Sequence, residues 1–489
     1  MAKTLPFLLF FTCLFFQISG QEKQELAPCG TPDGKPEWLV KYQSDPHQYP
    51  KSLNTIYVPV TIHIVGTDAG AGFFPVSSVL DAFCTLNKDF EAAGIQFYIE
   101  GDFNYIANTT YHDHTFQQGA QMMQIYRVPN TINCYIVGSP AGNCGYSSYN
   151  LGIALAKGCT APNDHTWAHE IGLYLSLPHP FWGWEGFTHD YAQPAPVQIG
   201  NSVVERMDSI FCDFAGDGFC DTPPDYLNFR WTCDGQQQSS ILQHDPEGVP
   251  FRSDGTLFMS YANDQCMNRF SEEQIAAMRA NLLTEKASYL YDQTPDEIIS
   301  DPPLTIAPAQ DELVDYFQAV TFEWEPVANA THYLLEISPF QNFPFVQFRY
   351  VVVGTSFVST DFSKNKTYYW RLRPFNSRST CPNYSEVASF KTGVLSSAQA
   401  IEGVSGIGIY PNPVNQQGKI WISLASNKAL HLEGRLLSAS GQVVRAFEWE
   451  VVPGAQVMSM DAEGLSSGMY LLQLNSAQGL ISMKVAVGR

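Results

Sequence analysis

The sequence predicts a multidomain protein in which one α/β (α+β) domain is followed by two all-β sandwich domains. With 489 residues, the chain is long enough for about three domains of ordinary size. Residues 55–155 alternate strand-like and helix-like hydrophobic patterns. Residues 305–392 and 403–489 instead carry short alternating patterns with no competing helical period. These three observations separate one mixed region from two β-rich regions.

The α/β domain is predicted over residues 55–295, and regular structure is expected to begin at Thr55. Alternate residues from Ile56 to Ile64 are apolar, which predicts a strand. Apolar residues at helical spacing from Val79 to Phe90, with Gly94 as the stop, predict an amphipathic helix. Further strands are predicted at residues 95–99, 132–137 and 152–155.

The N-terminus and the charge indicate an exported protein. Residues 1–20 have the basic start, short apolar run and small-residue end of a signal peptide, and residues 21–54 read as a polar pro-segment or linker. No later apolar run is long enough to span a membrane. The net charge is −21, which disfavours nucleic acid as a partner. Removing Cys13 leaves an even set of 10 among the 11 cysteines, so disulfides are expected.

The two β-rich regions resemble known modules. Residues 305–392 resemble a fibronectin type III module, with predicted strands at 320–324, 333–337 and 368–372. Residues 403–489 resemble the C-terminal sorting domain of type IX secretion cargo through the motifs at 410–413, 441–444, 465–470 and 483–489. That resemblance implies a partner in the type IX machinery. It also implies a secreted or cell-surface location, reached through the outer membrane of a Bacteroidota-type bacterium.

The segment from Thr166 to His179 carries the residues expected of a zinc site. Catalytic zinc needs about three protein ligands and one open position for water. His169 and His179 offer two imidazoles, and Glu170 beside the first can act as a general base. The position one helical turn after His169 is Leu173, which has no ligand atom.

This segment resembles the zinc signature of metzincin peptidases in its pappalysin form. The likeness continues in the motifs at residues 177–181, 183–185, 216–223, 258–261 and 266–270. It implies a metzincin-like fold, a polypeptide substrate or ligand, zinc held by His169 and His179, and Met259 in the turn beneath the metal. It also implies that Tyr261 stabilises the tetrahedral intermediate.

Two departures from the signature bear on activity. Leu173 stands where the middle zinc histidine belongs, so the zinc site is weakened and catalysis is expected to be impaired. Ser176 stands where the family has the glycine at which the helix turns, at a cost of about 1 kcal/mol for a positive φ. His165 or Tyr261 could supply a replacement ligand, although His165 also reads as a surface residue after an Asp164 N-cap, and phenolate is a costly ligand at neutral pH.

Cys29 has two interpretations. The segment Pro28–Asp33 resembles the cysteine switch of metalloprotease zymogens, in which a pro-segment thiolate occupies the open zinc position. Alternatively, Cys29 is a disulfide partner. The first interpretation assigns Cys29 to latency and predicts a free thiol; the second predicts a bridge.

The remaining cysteines and the acidic loop give further expectations. The family resemblance implies a Cys220–Cys266 disulfide. Cys212–Cys233 and Cys144–Cys159 are plausible bridges, although spacing does not decide connectivity. A flexible loop carries four aspartates, of which Asp217 and Asp221 are the candidate calcium ligands; a solvated acidic loop is the alternative. The expected function is thus that of a secreted zinc metalloendopeptidase-family protein with impaired catalysis, and the alternative is an inactive polypeptide-binding pseudoprotease.

Overall fold

A computed structural model describes residues 26–31, 34–291, 295–317, 319–395, 401, 403–412, 414–415, 418–438, 442–477 and 479–488. The signal peptide predicted over residues 1–20 lies outside the described residues. Strands make up 37% of the structure and helices 15%, so the protein is mostly β-sheet. None of the helices in the described ranges is long and apolar enough to cross a membrane.

In its described residues, the first region contains six α-helices and twelve strands. Its helices are α1 Glu37–Ser44, α2 Val76–Asp89, α3 Thr109–His112, α4 Phe116–Tyr126, α5 Thr166–Tyr174 and α6 Glu272–Leu283. Its strands are β1 Ile56–Gly66, β2 Ile95–Ile99, β3 Asn104–Ala107, β4 Asp113–His114, β5 Ile132–Val137, β6 Ser139–Pro140, β7 Gly145–Ser148, β8 Gly152–Ala156, β9 Gln198–Ile199, β10 Ser202–Val203, β11 Gln243–His244 and β12 Pro250–Phe251.

One mixed sheet organises this region. Its strand order is β2-β1-β5-β8-β7, and β3 pairs with the end of β1. All of these pairings are parallel except that of β7 with β8, so an antiparallel strand forms the edge. Helix α5 lies against β7 and β8, which brings its polar residues to that edge. The strands and the helix predicted from periodicity over residues 56–155 all form.

The expectation that regular structure begins at Thr55 is wrong. Helix α1 forms earlier, and it buries Leu39 completely and Tyr42 almost completely in the main core of the domain. Residues 26–31 also pair with the edge of the sheet, through an isolated parallel bridge between Ala27 and Asn143. Helix α1 contributes only Leu39 and Tyr42 as buried residues, so its sequence can be polar elsewhere and shows no apolar period.

The second region, residues 305–395, is a sandwich of two sheets. Its strands are β13 Thr305–Ala307, β14 Glu312–Tyr316, β15 Val320–Trp324, β16 His332–Ser338, β17 Phe348–Val352, β18 Ser356–Ser359, β19 Thr367–Phe375 and β20 Ala388–Leu395. Trp324 and Trp370 are buried between the sheets. Alternation predicted the strands at β15, β16 and β19 because every second side chain there enters this core.

The third region is also a two-sheet structure. Its strands are β21 Val404–Tyr410, β22 Val414–Asn415, β23 Lys419–Ser426, β24 Leu430–Ser438, β25 Val443–Val451, β26 Gly454–Asp461, β27 Gly468–Ser476 and β28 Gly479–Gly488. The two sandwiches are not separate sheets: β18 pairs with β21 at Val358 and Ile407, so one sheet runs in the order β13-β15-β18-β21-β23-β26. This edge-to-edge pairing was not predicted.

The disulfides correct two of the expected pairings. Cys212 is bonded to Cys220 and Cys233 to Cys266, so the expected Cys220–Cys266 and Cys212–Cys233 bridges are wrong. Cys144–Cys159 is confirmed. An unexpected bridge, Cys84–Cys381, ties helix α2 to the first sandwich. Spacing could not separate these alternatives because the bonded partners lie 8 and 33 positions apart, and only the folding of the loop decides which sulfurs meet.

Candidate metal centre

His169 and Glu170 lie in the middle of helix α5 and are buried. The Nδ1 of His169 lies 2.8 Å from the carbonyl oxygen of Phe258. A carbonyl only accepts, so Nδ1 carries the proton and Nε2 keeps its lone pair. Burial, and then the neighbouring His179, lower the pKa of His169 to about 3. The imidazole is therefore neutral and oriented by its second nitrogen, as metal-ligating histidines are.

The turn that supplies Phe258 also contains Met259, which lies under helix α5. Met259 is fully buried. A Cβ added at Gly172 would overlap its sulfur, so glycine at 172 lets the turn approach the helix. The prediction that Met259 has a structural role beneath the two histidines stays a prediction, but its position agrees with that role.

His179 reaches His169 because the chain reverses after α5. Ser176 adopts φ +80°, the left-handed conformation expected at this position. Its hydroxyl accepts a hydrogen bond of 3.0 Å from the side-chain amide of Asn281. The Nε2 atoms of His169 and His179 lie 3.2 Å apart. Two nitrogens that bind one tetrahedral zinc at about 2.0–2.1 Å lie about 3.3–3.4 Å apart, so the spacing fits a shared ion.

Cys29 completes this group. In the part of the chain that the structure describes, the one set of three or more His, Cys, Asp or Glu residues with converging ligand atoms is Cys29, His169 and His179. Their ligand atoms all lie within 4.8 Å of one another. Cys29 is not in a disulfide, which excludes the bridge and agrees with the free thiol that the latency hypothesis predicted. Burial raises the pKa of this thiol well above its usual range in the absence of a metal.

Glu170 faces the same space. Its Oε2 accepts a hydrogen bond of 3.3 Å from the hydroxyl of Thr31. Its Oε1 is buried and has no hydrogen-bond partner among the described residues. Burial raises the pKa of Glu170 to about 8. A Cβ added at Gly145 would lie 2.8 Å from Oε1, so glycine at 145 leaves room for the carboxylate.

The donor set fits zinc. A cysteine thiolate and imidazole nitrogens are ligands that zinc prefers. The orphaned Oε1 of Glu170 is a buried acceptor that still needs a polar partner, such as a water in the open position. Sequence reasoning found His169, Glu170, His179 and Cys29 but not Thr31, whose hydroxyl also accepts from the backbone N–H of Ser147. Its position two residues after Cys29 was the available signal.

Leu173 lies beside His179 and lines a pocket. The pocket has a volume of about 310 Å³ and is bordered by aromatic and apolar side chains, among them Phe116, Tyr146 and Trp182. Leu173 is almost fully buried and also belongs to the main core. Leu173 offers no ligand atom, and in the described part of the chain no further His joins Cys29, His169 and His179.

Of the two suggested replacement ligands, His165 is engaged by Asp89, whereas Tyr261 lies beside His179. His165 is itself the N-terminal cap residue of α5, in place of the expected Asp164, and its Nδ1 lies 2.8 Å from Asp89. Tyr261 packs against His179 with ring centroids 5.0 Å apart. Burial, and then the nearby Cys29 and Glu170, raise the pKa of Tyr261 far above its usual range. Tyr261 as a replacement ligand stays a prediction.

The aspartates of the acidic loop are occupied by separate protein donors. Asp217 is fully buried and accepts from the Thr222 hydroxyl at 2.8 Å. Asp221 accepts from the Ser271 hydroxyl at 2.7 Å. Lys35, which sequence reasoning did not single out, is close enough to Asp217 to act on its pKa. Calcium binding by Asp217 and Asp221 stays a prediction, and these contacts do not gather them into one site.

Comparison with known proteins gives solved structures that contain fibronectin-like modules. The FN1–FN3 domains of chicken CNTN1 are 13% identical with a TM-score of 0.16, over 40% of this chain and 68% of that chain. The fibronectin(III)-like modules of Clostridium thermocellum CbhA are 10% identical with a TM-score of 0.16, over 38% and 93%. The BSP domain of a biofilm-associated protein is 13% identical with a TM-score of 0.23, over 38% and 29%. TM-scores this low do not establish a shared fold or function.

No curated protein matches the chain. Residues 408–488, however, match the family of secretion system C-terminal sorting domains. This match confirms the sorting domain that the C-terminal motifs predicted. A type IX sorting domain directs export through the outer membrane in Bacteroidota, so this protein is secreted or held at the cell surface.

Proposed function

We propose that the chain is a secreted zinc-metalloendopeptidase-family protein of the metzincin, pappalysin-like type, in which catalysis is impaired because Leu173 replaces a zinc ligand. The observation that carries the proposal is the convergence of two imidazoles, at 3.2 Å between their Nε2 atoms, with a buried carboxylate beside them. The burial of Met259 under the same helix supports it.

A bound zinc ion and four side chains of the protein would share the work of peptide hydrolysis. Zinc, when bound, would polarise the scissile carbonyl and lower the pKa of a water molecule. Glu170 would accept the proton of that water, since its buried Oε1 has no other hydrogen-bond partner among the described residues. Tyr261 would donate its hydroxyl proton in a hydrogen bond to the oxyanion. His169 and His179 would hold the metal.

Two features of the cleft oppose this reaction. Leu173 leaves the histidine set one ligand short. Residues 26–31 also lie along the cleft, where the N–H of Gly30 donates to the carbonyl of Gly145 at 2.9 Å. A polypeptide substrate would need the same edge of β7 to bind as an added strand.

The second candidate function is polypeptide binding without cleavage. One observation favours it: the edge of β7 already accepts an extended segment, and an aromatic-lined pocket of about 310 Å³ adjoins that edge. An inactive descendant of a peptidase would keep both features. The two candidates differ in whether restoring the missing ligand restores cleavage.

The test compares cleavage of an unfolded protein by wild type, Leu173→His and the volume-conserving control Leu173→Met, with and without a zinc chelator. Each is made in the mature chain with Cys29 and with Cys29→Ser, because residues 26–31 cover the cleft. We expect chelator-sensitive cleavage from Leu173→His, strongest with Cys29→Ser, and none from wild type or Leu173→Met.

Chelator-sensitive cleavage by wild type at the rate of Leu173→His would show that catalysis is not impaired. Failure of Leu173→His with Cys29→Ser both to bind zinc and to cleave would overturn the family proposal. Binding of a labelled unfolded polypeptide by wild type, measured by fluorescence anisotropy in the absence of cleavage, would support the second candidate.

A further inference from the structure

We propose that Cys29 is a permanent third ligand of the metal centre, which takes over from the ligand lost at Leu173. The inference rests on the proposed zinc site and goes beyond latency. In a latent enzyme the pro-segment thiolate covers a metal that three histidines already hold, and it leaves on activation. Here the histidine set is incomplete, so the thiolate completes the site.

The distances support a three-ligand site. The sulfur of Cys29 and the nitrogens of His169 and His179 lie within 4.8 Å of one another. Sulfur and nitrogen ligands of one tetrahedral zinc lie about 3.5 Å apart, so a shift of about 1 Å closes the site. On binding, the thiol loses its proton to solvent and a sulfur–metal bond forms. The fourth position then faces the unpartnered Oε1 of Glu170.

The backbone on both sides of Cys29 is held to the edge of the sheet. The N–H of Cys144 donates to the carbonyl of Ala27 at 2.7 Å, and the N–H of Gly30 donates to Gly145 at 2.9 Å. A Cβ added at Gly30 would overlap the side chain of Asn143, so this approach requires glycine. Cys29 therefore projects from a fixed segment.

The rest of the segment is built into the core. Leu39 is completely buried and Tyr42 is nearly so. The side-chain amide of Gln43 donates to the carbonyls of Asp217 and Gly218 at 2.8 and 3.1 Å. The indole N–H of Trp38 donates to Thr284 at 3.1 Å. Removing residues 26–49 would uncover apolar surface of the domain, which is the behaviour of a structural part rather than of a detachable plug.

Latency and completion predict opposite results when Cys29 is changed. If Cys29 only covers a finished site, its removal frees a metal that stays bound. If Cys29 completes the site, its removal releases the metal. The position of Cys29 is the same in both cases, so metal affinity separates them.

The experiment titrates the metal-free mature chain with Co²⁺, and measures zinc affinity by competition with a chromogenic chelator. We expect wild type to show a sulfur-to-cobalt charge-transfer band. Cys29→Ser is expected to lose the band and to bind zinc at least about 100-fold more weakly, more than the loss of an outer-shell partner costs. Cys134→Ala removes the other free thiol of the described chain, which is buried in the core, and is the matched control with band and affinity unchanged.

A third variant tests replacement. Leu173→His in the Cys29→Ser background is expected to recover zinc affinity without the sulfur band. Unchanged zinc affinity in Cys29→Ser would overturn the inference while leaving the zinc site intact. Absence of metal binding by wild type and by the Leu173→His double variant would overturn both. If Cys29→Ser loses zinc binding and the added Leu173→His does not restore it, Cys29 remains a ligand. That result would contradict the assignment of position 173 to the missing metzincin histidine. Circular dichroism of each variant checks that it is folded.

Discussion

Residues 26–49 and the sandwich of residues 305–395 are both attached to the α/β domain, but by different means. The N-terminal segment has no disulfide; it is held by two buried side chains, Leu39 and Tyr42, and by strand-like pairing. The sandwich also buries Leu334 and Phe375 in the main core, but it is tied in addition by the Cys84–Cys381 disulfide. It adds backbone and ionic contacts, including the N–H of Ile99 donating to Ser377 at 2.7 Å and an Arg373–Asp81 pair.

The type of attachment decides whether a part of the chain reaches the cleft. A segment that pairs with the edge of a sheet can bring a side chain into a cleft, and Cys29 reaches the two histidines in this way. A disulfide at the surface fixes a whole domain without giving it access to the cleft. Among the described residues of the sandwich, none lines the pocket beside His179. The segment should therefore affect metal binding, and the sandwich should affect stability alone.

The largest effect is expected from removing the Cys84–Cys381 bridge with serines at both positions. The bridge joins residues 297 positions apart, and long closed loops contribute about 4–5 kcal/mol through the entropy of the unfolded chain. The free energy of unfolding of the joined domains should fall by about this amount, measured by calorimetry under oxidising conditions. Zinc affinity should not change.

The Cys144–Cys159 pair is a comparison for stability alone, because Cys144 also holds the Cys29 segment; it spans 15 positions and should cost about 3 kcal/mol. A fall in zinc affinity on loss of the Cys84–Cys381 bridge would show that the sandwich also supports the metal centre. The sandwich would then not affect stability alone.

A smaller effect on stability, but a larger one on metal binding, is expected from Leu39→Ala. Truncating a fully buried leucine costs about 2–5 kcal/mol because it loses contacts and leaves a cavity. Loosening of the segment should also weaken zinc binding through Cys29. Val40→Ala is the control, because Val40 is 53% exposed and should change the free energy of unfolding by less than about 0.5 kcal/mol. Normal zinc affinity in a destabilised Leu39→Ala protein would count against a ligand on this segment.

The smallest effect is expected from Gln43→Ala. The amide makes two hydrogen bonds to backbone carbonyls, and a net loss of about 1 kcal/mol is expected. Denaturant unfolding of the mature chain measures the loss. The control is Gln48→Ala, whose side chain bonds only to Asp45 in an exposed turn and should have no measurable effect. Equal behaviour of the two variants would show that Gln43 does not help to anchor the segment.

Much of the fold could be predicted because its elements follow regular periods. Apolar residues every second position along β1 and at helical spacing along α2 indicate which face enters the core, and both elements form. Helix α1 was missed because only two of its side chains are buried, too few for a periodic signal. The pairing of β18 with β21 was missed because a strand edge is made of backbone groups, which every residue carries.

The candidate site divides in the same way. The local motif identified His169, Glu170, His179 and the departure at Leu173, because ligands within one helix and its following turn are set by short-range geometry. Of the bridges, Cys144–Cys159 was predicted, whereas Cys84–Cys381, Cys233–Cys266 and Cys212–Cys220 were not. The contact of His165 with Asp89 was also missed, because it joins residues distant in the chain.

The sequence by itself determined the β-rich character of the two C-terminal regions, the export signal at the C-terminus and the grouping of His169, Glu170 and His179, since each depends on residues close together in the chain. Only the tertiary structure decided which cysteines pair and that Cys29 stands beside the two histidines. Those contacts join residues more than 100 positions apart in the case of Cys29 and His169. Such contacts form only when whole elements pack together. Burial of Leu39 and Tyr42 in the main core anchors the part of the chain that follows Cys29.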